Sequence, residues 1–299
     1  MRLALYGSAI LLLLSIALRW TARDRFDGLA VLFYGTPWPI LAGWAAAGAV
    51  ACLLRRQKWL GGVFALASIG SAAAWTNTRV ATPATQVAGN CRIVCWNAEH
   101  PKRLLPQIIA AAQAFDADLL GITETESTTP EDASAWRDAF SGHRVETLPG
   151  FMLVISREPM RLLFSESLGG RGRVNAFETH LRGRAVVCVF VEFDAAAWKS
   201  RRPAFDALRE VLSRFRGREI LLMGDFNTPR ESSYFDELRA SFTHAFEAAG
   251  QGFAETWPLP FPVLSLDHVW TTGGLKATRC TLEASLSDHR AVIADFLLE

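Results

Sequence analysis

Three long apolar segments without a single charge occupy most of the first eighty residues, and they constrain the fold more than any other feature of the chain. They run over residues 3–18, 29–54 and 59–75. Each is about long enough to cross a hydrocarbon layer roughly 30 Å thick. The first alone would be typical of a signal peptide, but two further segments of the same kind argue against that interpretation. We therefore predict three transmembrane helices, the alternative being a buried helical hairpin in a soluble protein.

Prolines and basic residues add detail to this membrane segment. Pro37 and Pro39 interrupt the second apolar run, so its helix is expected to begin near Trp38. The link at residues 55–58 carries three positive charges and no acidic residue. The stretch with Arg19, Arg23 and Arg25 carries as many positive charges, so the two loops nearly balance, and Arg2 favours the orientation with the amino terminus and the 55–58 link in the cytoplasm. Three crossings would then put the rest of the chain outside the cytoplasm, as in a multi-pass protein of the cell membrane whose partner is the lipid bilayer.

Charge divides the 299 residues in a similar way. Residues 1–89 contain 8 Lys+Arg and 2 Asp+Glu, a net charge of +6, whereas the other 210 residues contain 23 and 28, a net charge of −5. The overall charge of +1 hides this contrast. We predict a membrane domain over residues 1–78, a linker rich in Ala, Thr and Pro over residues 79–90, and one globular domain over residues 91–299.

The globular part alternates β-rich apolar runs with helical runs, which predicts a layered α/β domain with its site at the strand ends. No internal repeat or low-complexity segment interrupts this alternation. The predicted strands are 92–96, 119–123, 151–156, 185–193, 220–223, 266–271 and 291–298, and the predicted helices are 104–115, 203–215 and 232–249.

The stretch from Glu219 to Asn227 places polar side chains at the end of one of these strands. Its apolar run ends at Gly224, and Asp225 and Asn227 follow, two residues apart. Residues two apart on an extended chain point the same way, so a carboxylate and a carboxamide would face one pocket. An Asx-rich turn that closes a strand is the alternative.

Other predicted strands end in residues of the same kind. The set comprises Asn97, Glu99, Glu124, Glu126, Asp267, His268, Asp288 and His289. One such ending is usually a solvated turn. Several of them, rich in carboxylates, amides and imidazoles, are typical of a metal-assisted hydrolytic site.

The chain contains, in order, the motifs Trp-Asn-Ala-Glu, Thr-Glu-Thr-Glu, Gly-Asp-Phe-Asn, Thr-Trp-Pro, Leu-Asp-His and Ser-Asp-His-Arg. As an ordered set over residues 91–299, they resemble the endonuclease/exonuclease/phosphatase superfamily. The resemblance implies an α/β fold, a four-layer α/β sandwich of two mixed β-sheets flanked by helices, here preceded by about three transmembrane helices. It also implies phosphoester hydrolysis that depends on Mg²⁺ or Mn²⁺.

The resemblance assigns one group of these residues to the metal. Glu124 would be the principal ligand, and Asn97, Glu99 and Asp288 would complete or support the site. Oxygen ligands of this kind suit Mg²⁺, which keeps several waters and binds through one or two carboxylates and the substrate phosphate.

A second group would act on the substrate. Asp225 would position or deprotonate the attacking water, and Asn227 would hold a phosphoryl oxygen. His289, oriented by Asp267, would contact the phosphate or act as the general base. Either role suits an imidazole with a pKa near neutrality.

One position departs from the family pattern. Many members have a histidine in a segment like Val-x-x-His-Leu-Asp, whereas this chain has Glu192 there. The loss would mean weak activity or a leaving group that needs no proton. His180, one strand earlier, is a candidate to replace it in space, although a lone histidine on a strand is more often structural.

The leading functional hypothesis is a membrane-anchored, metal-dependent phosphodiesterase or nuclease. The net charge of −5 on the globular part argues against a grip on long duplex DNA, because phosphate neutralisation supplies most nonspecific affinity. The alternatives are a phosphatase or phospholipid phosphodiesterase at the membrane surface, and a catalytically silent member that binds phosphorylated ligands. The expected partner is thus a phosphoester, which is a nucleic acid, a phospholipid or a phosphorylated small molecule. No protein partner is identifiable.

Overall fold

The computed structural model describes residues 2–81, 88–99, 104–125 and 129–298. It divides into two compact units. One comprises Met1–Arg79 with the short segments Ala196–Ser200 and Glu231–Ser233, and the other comprises Val80–Ala195, Arg201–Arg230 and Tyr234–Glu299. Residues 82–87 of the predicted linker lie outside the described ranges, as does Glu126 of the predicted strand endings.

The first unit is built on helices. They are α1 (Arg2–Trp20), α2 (Asp27–Gly35), α3 (Trp38–Leu54) and α4 (Lys58–Asn77). Within the described ranges, α1 and α4 are long and apolar enough to cross a membrane, judged by length and composition. A third span exists only if α2 and α3 count as one, and these two are bent by 68° at the break between them. The second of the three predicted transmembrane helices is therefore not continuous.

The break between α2 and α3 follows from Pro37. The helix α3 begins at Trp38, as the prolines predicted, and Pro37 is its amino-terminal cap. Thr36, which precedes the proline, is displaced from the α region and has φ −125° and ψ 57°. Pro37 also lacks the N–H that would bond the carbonyl of Phe33. The guanidinium of Arg19 donates to that oxygen at 2.9 Å and to the carbonyl of Thr36 at 3.1 Å, so the break is stabilised by a side chain.

The second unit contains the predicted α/β fold. Its strands are β1 (Val80–Ala81), β2 (Cys91–Asn97), β3 (Leu119–Thr123), β4 (Arg144–Leu148), β5 (Met152–Ser156), β6 (Met160–Ser167), β7 (Gly172–Leu181), β8 (Arg184–Phe193), β9 (Ile220–Asp225), β10 (Thr243–His244), β11 (Gln251–Gly252), β12 (Asp267–Thr271), β13 (Lys276–Ala284) and β14 (Arg290–Leu297). Its helices are α5 (Leu105–Ala114), α6 (Pro130–Ala139), α7 (Arg202–Ser213), α8 (Phe235–Leu238) and α9 (Ala245–Ala249).

Most of these strands form two mixed six-stranded sheets within the described part of the chain. The first has the order β13-β14-β2-β3-β5-β4, and the second has the order β10-β12-β9-β8-β7-β6. In the first sheet β2 and β3 are parallel, and in the second β8 and β9 are parallel. The predicted arrangement of two mixed sheets flanked by helices is confirmed.

Apolar residues on both faces of the central strands produce the layers. In β2, Ile93 and Cys95 belong to the core between the sheets, whereas Val94 and Trp96 belong to the core beneath α5 and α6. The second sheet repeats this pattern against α7 and α8. Strands buried on both faces read as continuous apolar runs, which is why they were recognisable in the sequence.

One predicted helix is wrong. Residues 232–249 form no single helix but contain α8, β10 and α9 in succession. Thr243 and His244 of β10 pair with Thr271 and Trp270 of β12, so the chain leaves the helical conformation there. Pairing with a distant strand thus overrides the local helical pattern.

The strand register brings several strand ends to one end of the core between the sheets. Parallel pairing of β8 and β9 places Glu192 beside Asp225, and β12, which runs antiparallel to β9, starts with Asp267 on the other side of Asp225. In the first sheet, Asn97 ends β2 next to Thr123 at the end of β3. Residues that lie far apart in the sequence therefore meet at one place.

Gly224 supplies the first test of this arrangement. It has φ +146°, which side-chain-bearing residues rarely adopt, and a Cβ at this position would overlap the carbonyl oxygen of Val191 in β8. We predict that Gly224→Ala lowers the free energy of unfolding by about 3 kcal/mol or more, measured by denaturant titration. Gly142→Ala is the control, because no described atom lies within 4 Å of its Cβ. Equal effects of the two substitutions would contradict the close approach of β8 and β9.

Candidate active site

Asp225 lies at the centre of the candidate site. It ends β9 and is 0% exposed. Its partners in the neighbouring strands are Glu192 of β8 and Asp267 of β12. Residues opposite each other on adjacent strands project to the same face, so these carboxyl groups lie side by side. Such crowding of like charges is unfavourable unless protons, hydrogen-bond donors or positive charges balance it.

Amide donors balance part of this charge. The N–H of Asn227 donates to Oδ1 of Asp225 at 2.7 Å, and Nδ2 of Asn227 and Nδ2 of Asn97 donate to Oδ2 at 3.2 Å and 2.9 Å. Burial, followed by the charge of Asp267, outweighs these bonds and the nearby His289, so the pKa of Asp225 is raised to about 7. Asp225 can therefore take up or release a proton near neutral pH.

Asn97 links the two sheets at this point. Its Nδ2 also donates to Oε1 of Glu124 at 3.0 Å, and its Oδ1 accepts from the N–H of Glu99 at 2.9 Å. Ionised carboxylates only accept and a backbone N–H only donates, so these partners fix which way the amide points. Asn97, predicted to complete or support the metal site, thus bridges Glu124 and Asp225, while its oxygen is bonded to Glu99.

An uncommon backbone conformation is shared by Glu99, Glu124 and Asn227. Their φ values are +53°, +51° and +45°, in the left-handed region that non-glycine residues rarely adopt. Each residue follows the end of a strand or lies just beyond it. The left-handed conformation costs roughly 1–2 kcal/mol per residue, and such strain tends to persist at functional sites.

His289 and Asp267 form a buried pair. Nδ1 of His289 donates to Oδ2 of Asp267 at 2.8 Å, and the two residues are 5% and 3% exposed. Burial alone would lower the pKa of His289, but Asp267, with Asp225 and Asp288, outweighs it and raises this pKa to about 10. The imidazole is therefore protonated at neutral pH and brings a positive charge to the site.

Asp288 is held beside this pair by contacts at both carboxylate oxygens and at its backbone. Its Oδ2 accepts from Nε1 of Trp257 at 2.7 Å, and its N–H donates to Oε2 of Glu99 at 3.0 Å. Its Oδ1 lies 3.8 Å from Nε2 of His289. The contact with Trp257 was not predicted, and the motif Thr-Trp-Pro was the only sequence signal for it.

One group of His, Cys, Asp and Glu side chains among the described residues is arranged so that it could hold a metal ion. It consists of Asp225, Asp267 and His289, whose ligand atoms lie within 4.8 Å of one another. Oδ1 of Asp267 is buried and has no hydrogen-bond partner in the described part of the chain. Buried carboxylate oxygens without donors fit a hard divalent cation.

This group differs from the predicted set of metal ligands. The family resemblance implied that Glu124, Asn97, Glu99 and Asp288 bind the metal and that the residues of the group act in catalysis. In the structure Glu124 is connected to the group through Asn97, and Glu99 is connected to Asp288. Both sets border one acidic site.

Glu192 occupies the position at which the family pattern has a histidine. It pairs with Arg173 of β7 on one side and with Asp225 of β9 on the other. Burial, followed by the charges of Asp225 and Glu124, raises the pKa of Glu192 to about 8. A carboxyl group that is protonated at neutral pH therefore stands where an imidazole was expected.

His180 does not replace the missing histidine. It is exposed and pairs with Ala185 near one end of the β7–β8 ladder, whereas Glu192 pairs with Arg173 near the other end. Arg173 and His180 are seven positions apart on β7, which corresponds to about 23 Å of extended chain. The suggestion that His180 substitutes in space is therefore wrong.

The raised pKa of Glu192 predicts how stability depends on pH. An unfolded chain ionises this carboxyl near pH 4.5, so between pH 4.5 and about 8 folding takes up a proton and stability falls as pH rises. Glu192→Gln keeps the shape and cannot ionise. We predict that the substitution changes the free energy of unfolding more favourably at pH 9 than at pH 5, by on the order of 2–4 kcal/mol relative to wild type. The measurement is a set of unfolding titrations in the presence of EDTA. Glu146→Gln, at an exposed position, is the control, and a pH-independent effect of Glu192→Gln would contradict the prediction.

A protein-family comparison covers most of the globular part. The model of the Endonuclease/Exonuclease/phosphatase family matches residues 94–289, a stretch that includes every predicted site residue. No curated protein has significant similarity to the chain.

Solved structures share the fold. A truncated TDP2 from Caenorhabditis elegans is 17% identical, with a TM-score of 0.54 over 69% of this chain and 97% of that chain. The mannosyl-6-phosphatase of Bacteroides thetaiotaomicron is 13% identical, with a TM-score of 0.54 over 70% and 100%. TDP2 from D. rerio, complexed with a single-strand DNA product, is 12% identical, with a TM-score of 0.54 over 69% and 98%.

Identities this low show a common fold and no more. The family model, however, matches well over half of the chain, from β2 to the residue before β14. The chain therefore belongs to the endonuclease/exonuclease/phosphatase family, whose members are phosphoester hydrolases.

Proposed function

We propose that this protein is a metal-dependent phosphoester hydrolase that acts as a phosphodiesterase on nucleic acid. The observation that carries the proposal is that Asn97 bridges Glu124 and Asp225 next to a buried ion pair. That pair consists of Asp267 and His289. Carboxyl groups with raised pKa values beside a protonated imidazole are typical of an active site. Metal-assisted phosphoester hydrolysis needs such a set of groups.

Mg²⁺ or Mn²⁺ is the cofactor we propose, held by Glu124 and Asp267 with the carboxylate of Asp225 beside them. The support is the close approach of the ligand atoms of Asp225 and Asp267 and the unbonded Oδ1 of Asp267. His289 belongs to the same group, but a protonated imidazole does not bind a metal. When bound, the cation supplies positive charge for the phosphoryl oxygens.

Asp225 is the residue we propose to accept a proton from the attacking water. Its pKa of about 7 suits this role at neutral pH, and the donors of Asn97 and Asn227 fix its orientation. Nδ2 of Asn227 is bonded to Asp225 and, at 2.9 Å, to the carbonyl of Phe193. These bonds favour an orienting role for Asn227 over its predicted role of holding a phosphoryl oxygen.

His289 is the residue we propose to donate from Nε2 to an oxygen of the substrate. Its Nδ1 is bonded to Asp267, which keeps the ring oriented and charged. Two roles were predicted for His289, and a ring that already carries its proton cannot act as a general base. The geometry therefore favours contact with the phosphate.

The substrate proposal combines charge with the names of structural neighbours. One neighbour was solved with a single-strand DNA product, and a net charge of −5 on the globular part favours short or single-stranded nucleic acid over long duplex. A second candidate is a phosphatase or phospholipid phosphodiesterase. It is supported by the neighbour named mannosyl-6-phosphatase and by the apolar helices α1 and α4.

We also propose that α1, the bent pair of α2 and α3, and α4 cross the membrane three times, as a multi-pass domain over residues 1–78. The linker over residues 79–90 would then lead to a catalytic domain over residues 91–299 outside the cytoplasm. The support is the length and composition of α1 and α4 and the basic residues at positions 55–58.

Asp225→Asn tests the catalytic assignment directly. The substitution keeps the shape and removes the proton acceptor, so we predict a fall in kcat/KM of about 10²–10⁴-fold with Mn²⁺ and single-stranded oligonucleotides. Asp138→Asn, at an exposed position of α6, is the control and should keep the wild-type rate.

Vesicles of phospholipid and sugar phosphates, assayed in parallel, distinguish the second candidate. Wild-type protein that hydrolyses no substrate in the panel would instead be a catalytically silent member.

The pH profile tests the pair of Asp267 and His289. At saturating Mn²⁺, we predict that kcat/KM falls on the alkaline side as His289 loses its proton, because the neighbouring Asp267 raises the pKa of the ring. Asp267→Asn removes the main group that raises this pKa, so the alkaline fall should move to lower pH by more than one unit. An alkaline limb that stays in place in this variant would show that His289 is not the group that titrates.

A further inference from the structure

Two buried histidines that the proposed chemistry does not use form a chain of hydrogen bonds behind the site. Nδ1 of His244 accepts from the N–H of Glu247 at 3.2 Å. Nε2 of His244 lies 3.1 Å from Nδ1 of His268, and Nε2 of His268 lies 3.0 Å from the carbonyl oxygen of Thr228. The two rings are 4% and 1% exposed. The chain thus connects α9, β10 and β12 to the turn after Asp225.

The partners at its two ends fix the direction of every bond. The N–H of Glu247 can only donate, so Nδ1 of His244 carries no proton and the proton of a neutral ring is on Nε2. The carbonyl of Thr228 can only accept, so His268 carries its proton on Nε2 and its Nδ1 is free to accept. His244 therefore donates to His268, and His268 donates to Thr228. Two neutral rings satisfy all three bonds, and an additional proton on either ring would break one.

The surroundings favour these neutral rings. The ring centroid of His268 lies 4.9 Å from that of Phe235 and 5.5 Å from that of Phe226. The ring centroid of His244 lies 4.5 Å from that of Trp270. Both rings are almost fully buried among these aromatic groups, and burial disfavours a charged imidazole. The charged groups that face the pair are Asp267, Arg230, Arg239 and Glu247, and the last two are bonded to each other.

The turn that receives this chain is also held from its other side. Asn227 has φ +45°, and its carbonyl oxygen accepts from Nη2 of Arg201 at 2.9 Å. The next carbonyl, that of Thr228, accepts from His268. Two consecutive peptide groups are therefore fixed by side chains from α7's amino-terminal side and from β12. Asn227 in turn donates its N–H and Nδ2 to Asp225.

We propose that His268, oriented by His244, is a positioning residue that holds the turn at Asn227 and Thr228 and thereby the carboxylate of Asp225. His268 touches neither the substrate nor a reacting atom. This inference rests on the proposed function only for its kinetic consequence, because the bonds themselves can be observed in a protein without turnover. A misplacement of about 1 Å at a reacting group can cost about 100-fold in rate. Loss of the bond from His268 to Thr228 can therefore slow the reaction although His268 does not touch the substrate.

The first arm of the test observes the chain directly. In the full-length protein, labelled with ¹⁵N-histidine and held in detergent micelles, long-range ¹H–¹⁵N spectra at pH 7 should show two rings, His244 and His268, neutral and protonated on Nε2. Assignment uses the loss of one signal in each of His244→Phe and His268→Phe. A charged ring, or a proton on Nδ1 of His268, would overturn the proposal.

The second arm compares three variants. His268→Phe keeps the aromatic packing and removes the donor to Thr228, and we expect kcat to fall by about 10- to 100-fold while KM and Mn²⁺ affinity change by less than about threefold. His268→Gln retains a donor and an acceptor and should recover kcat to within about threefold of wild type. Phe235→Leu loosens the same cluster without touching the bonds, so it should lower the unfolding temperature and leave kcat unchanged. Equal kcat values for His268→Phe and Phe235→Leu would overturn the proposal.

The side-chain amide signals of Asn227 separate the failure of this inference from failure of the proposed function. They should shift in His268→Phe and stay in place in Phe235→Leu, whether or not the wild-type protein hydrolyses any substrate. A shift without wild-type turnover supports the positioning role and removes the proposed hydrolysis. Unmoved signals in His268→Phe overturn the positioning role even if the wild-type protein is active. If His268→Phe does not fold, two other measurements test the positioning role. They are the kcat of His268→Gln and the tautomers of His244 and His268 in the wild-type protein.

Discussion

The carboxyl groups of Glu192, Asp225 and Asp267 are forced together by the register of three neighbouring strands, and the rest of the site depends on how this repulsion is offset. A raised pKa lets Glu192 hold a proton, amide donors surround Asp225, and His289 places a positive charge against Asp267. Each residue thereby gains a chemical capability. Glu192 can donate a proton, Asp225 is an oriented proton acceptor, and His289 is a cationic hydrogen-bond donor. Structure and proposed chemistry thus have one electrostatic origin.

The proposed site lies between the sheets, where polar bridges replace apolar packing at one end of the core. Toward the middle, Cys95 and Met223 belong to the same apolar cluster. At the end of the strands Asn97 and Asp225 bond instead, two positions further along each chain. Because side chains two residues apart on a strand point to the same face, Asn97 and Asp225 continue the faces of Cys95 and Met223 with polar groups.

The sequence could predict which residues end the strands, because apolar runs followed by Asp, Asn or His are readable locally, as at Asp225 and Asn227. It could not predict that Glu192 lies beside Asp225, since this depends on the parallel register of β8 and β9, which no local pattern encodes. The predicted helix over residues 232–249 failed for the same reason, through pairing with β12. In the amino-terminal helical unit, Pro37 indicated where α3 begins, but no local pattern indicated that Arg19 would stabilise the break before it.

The left-handed backbone at Glu99, Glu124 and Asn227 has a consequence for how this chain can evolve. Glycine would relieve the strain at each position without penalty from a side chain, so selection for thermal robustness alone favours it there. Keeping a carboxylate or an amide at these positions means tolerating a permanent local disadvantage. Descendants that lose their chemistry should drift toward glycine at positions 99, 124 and 227, and descendants that retain it should not.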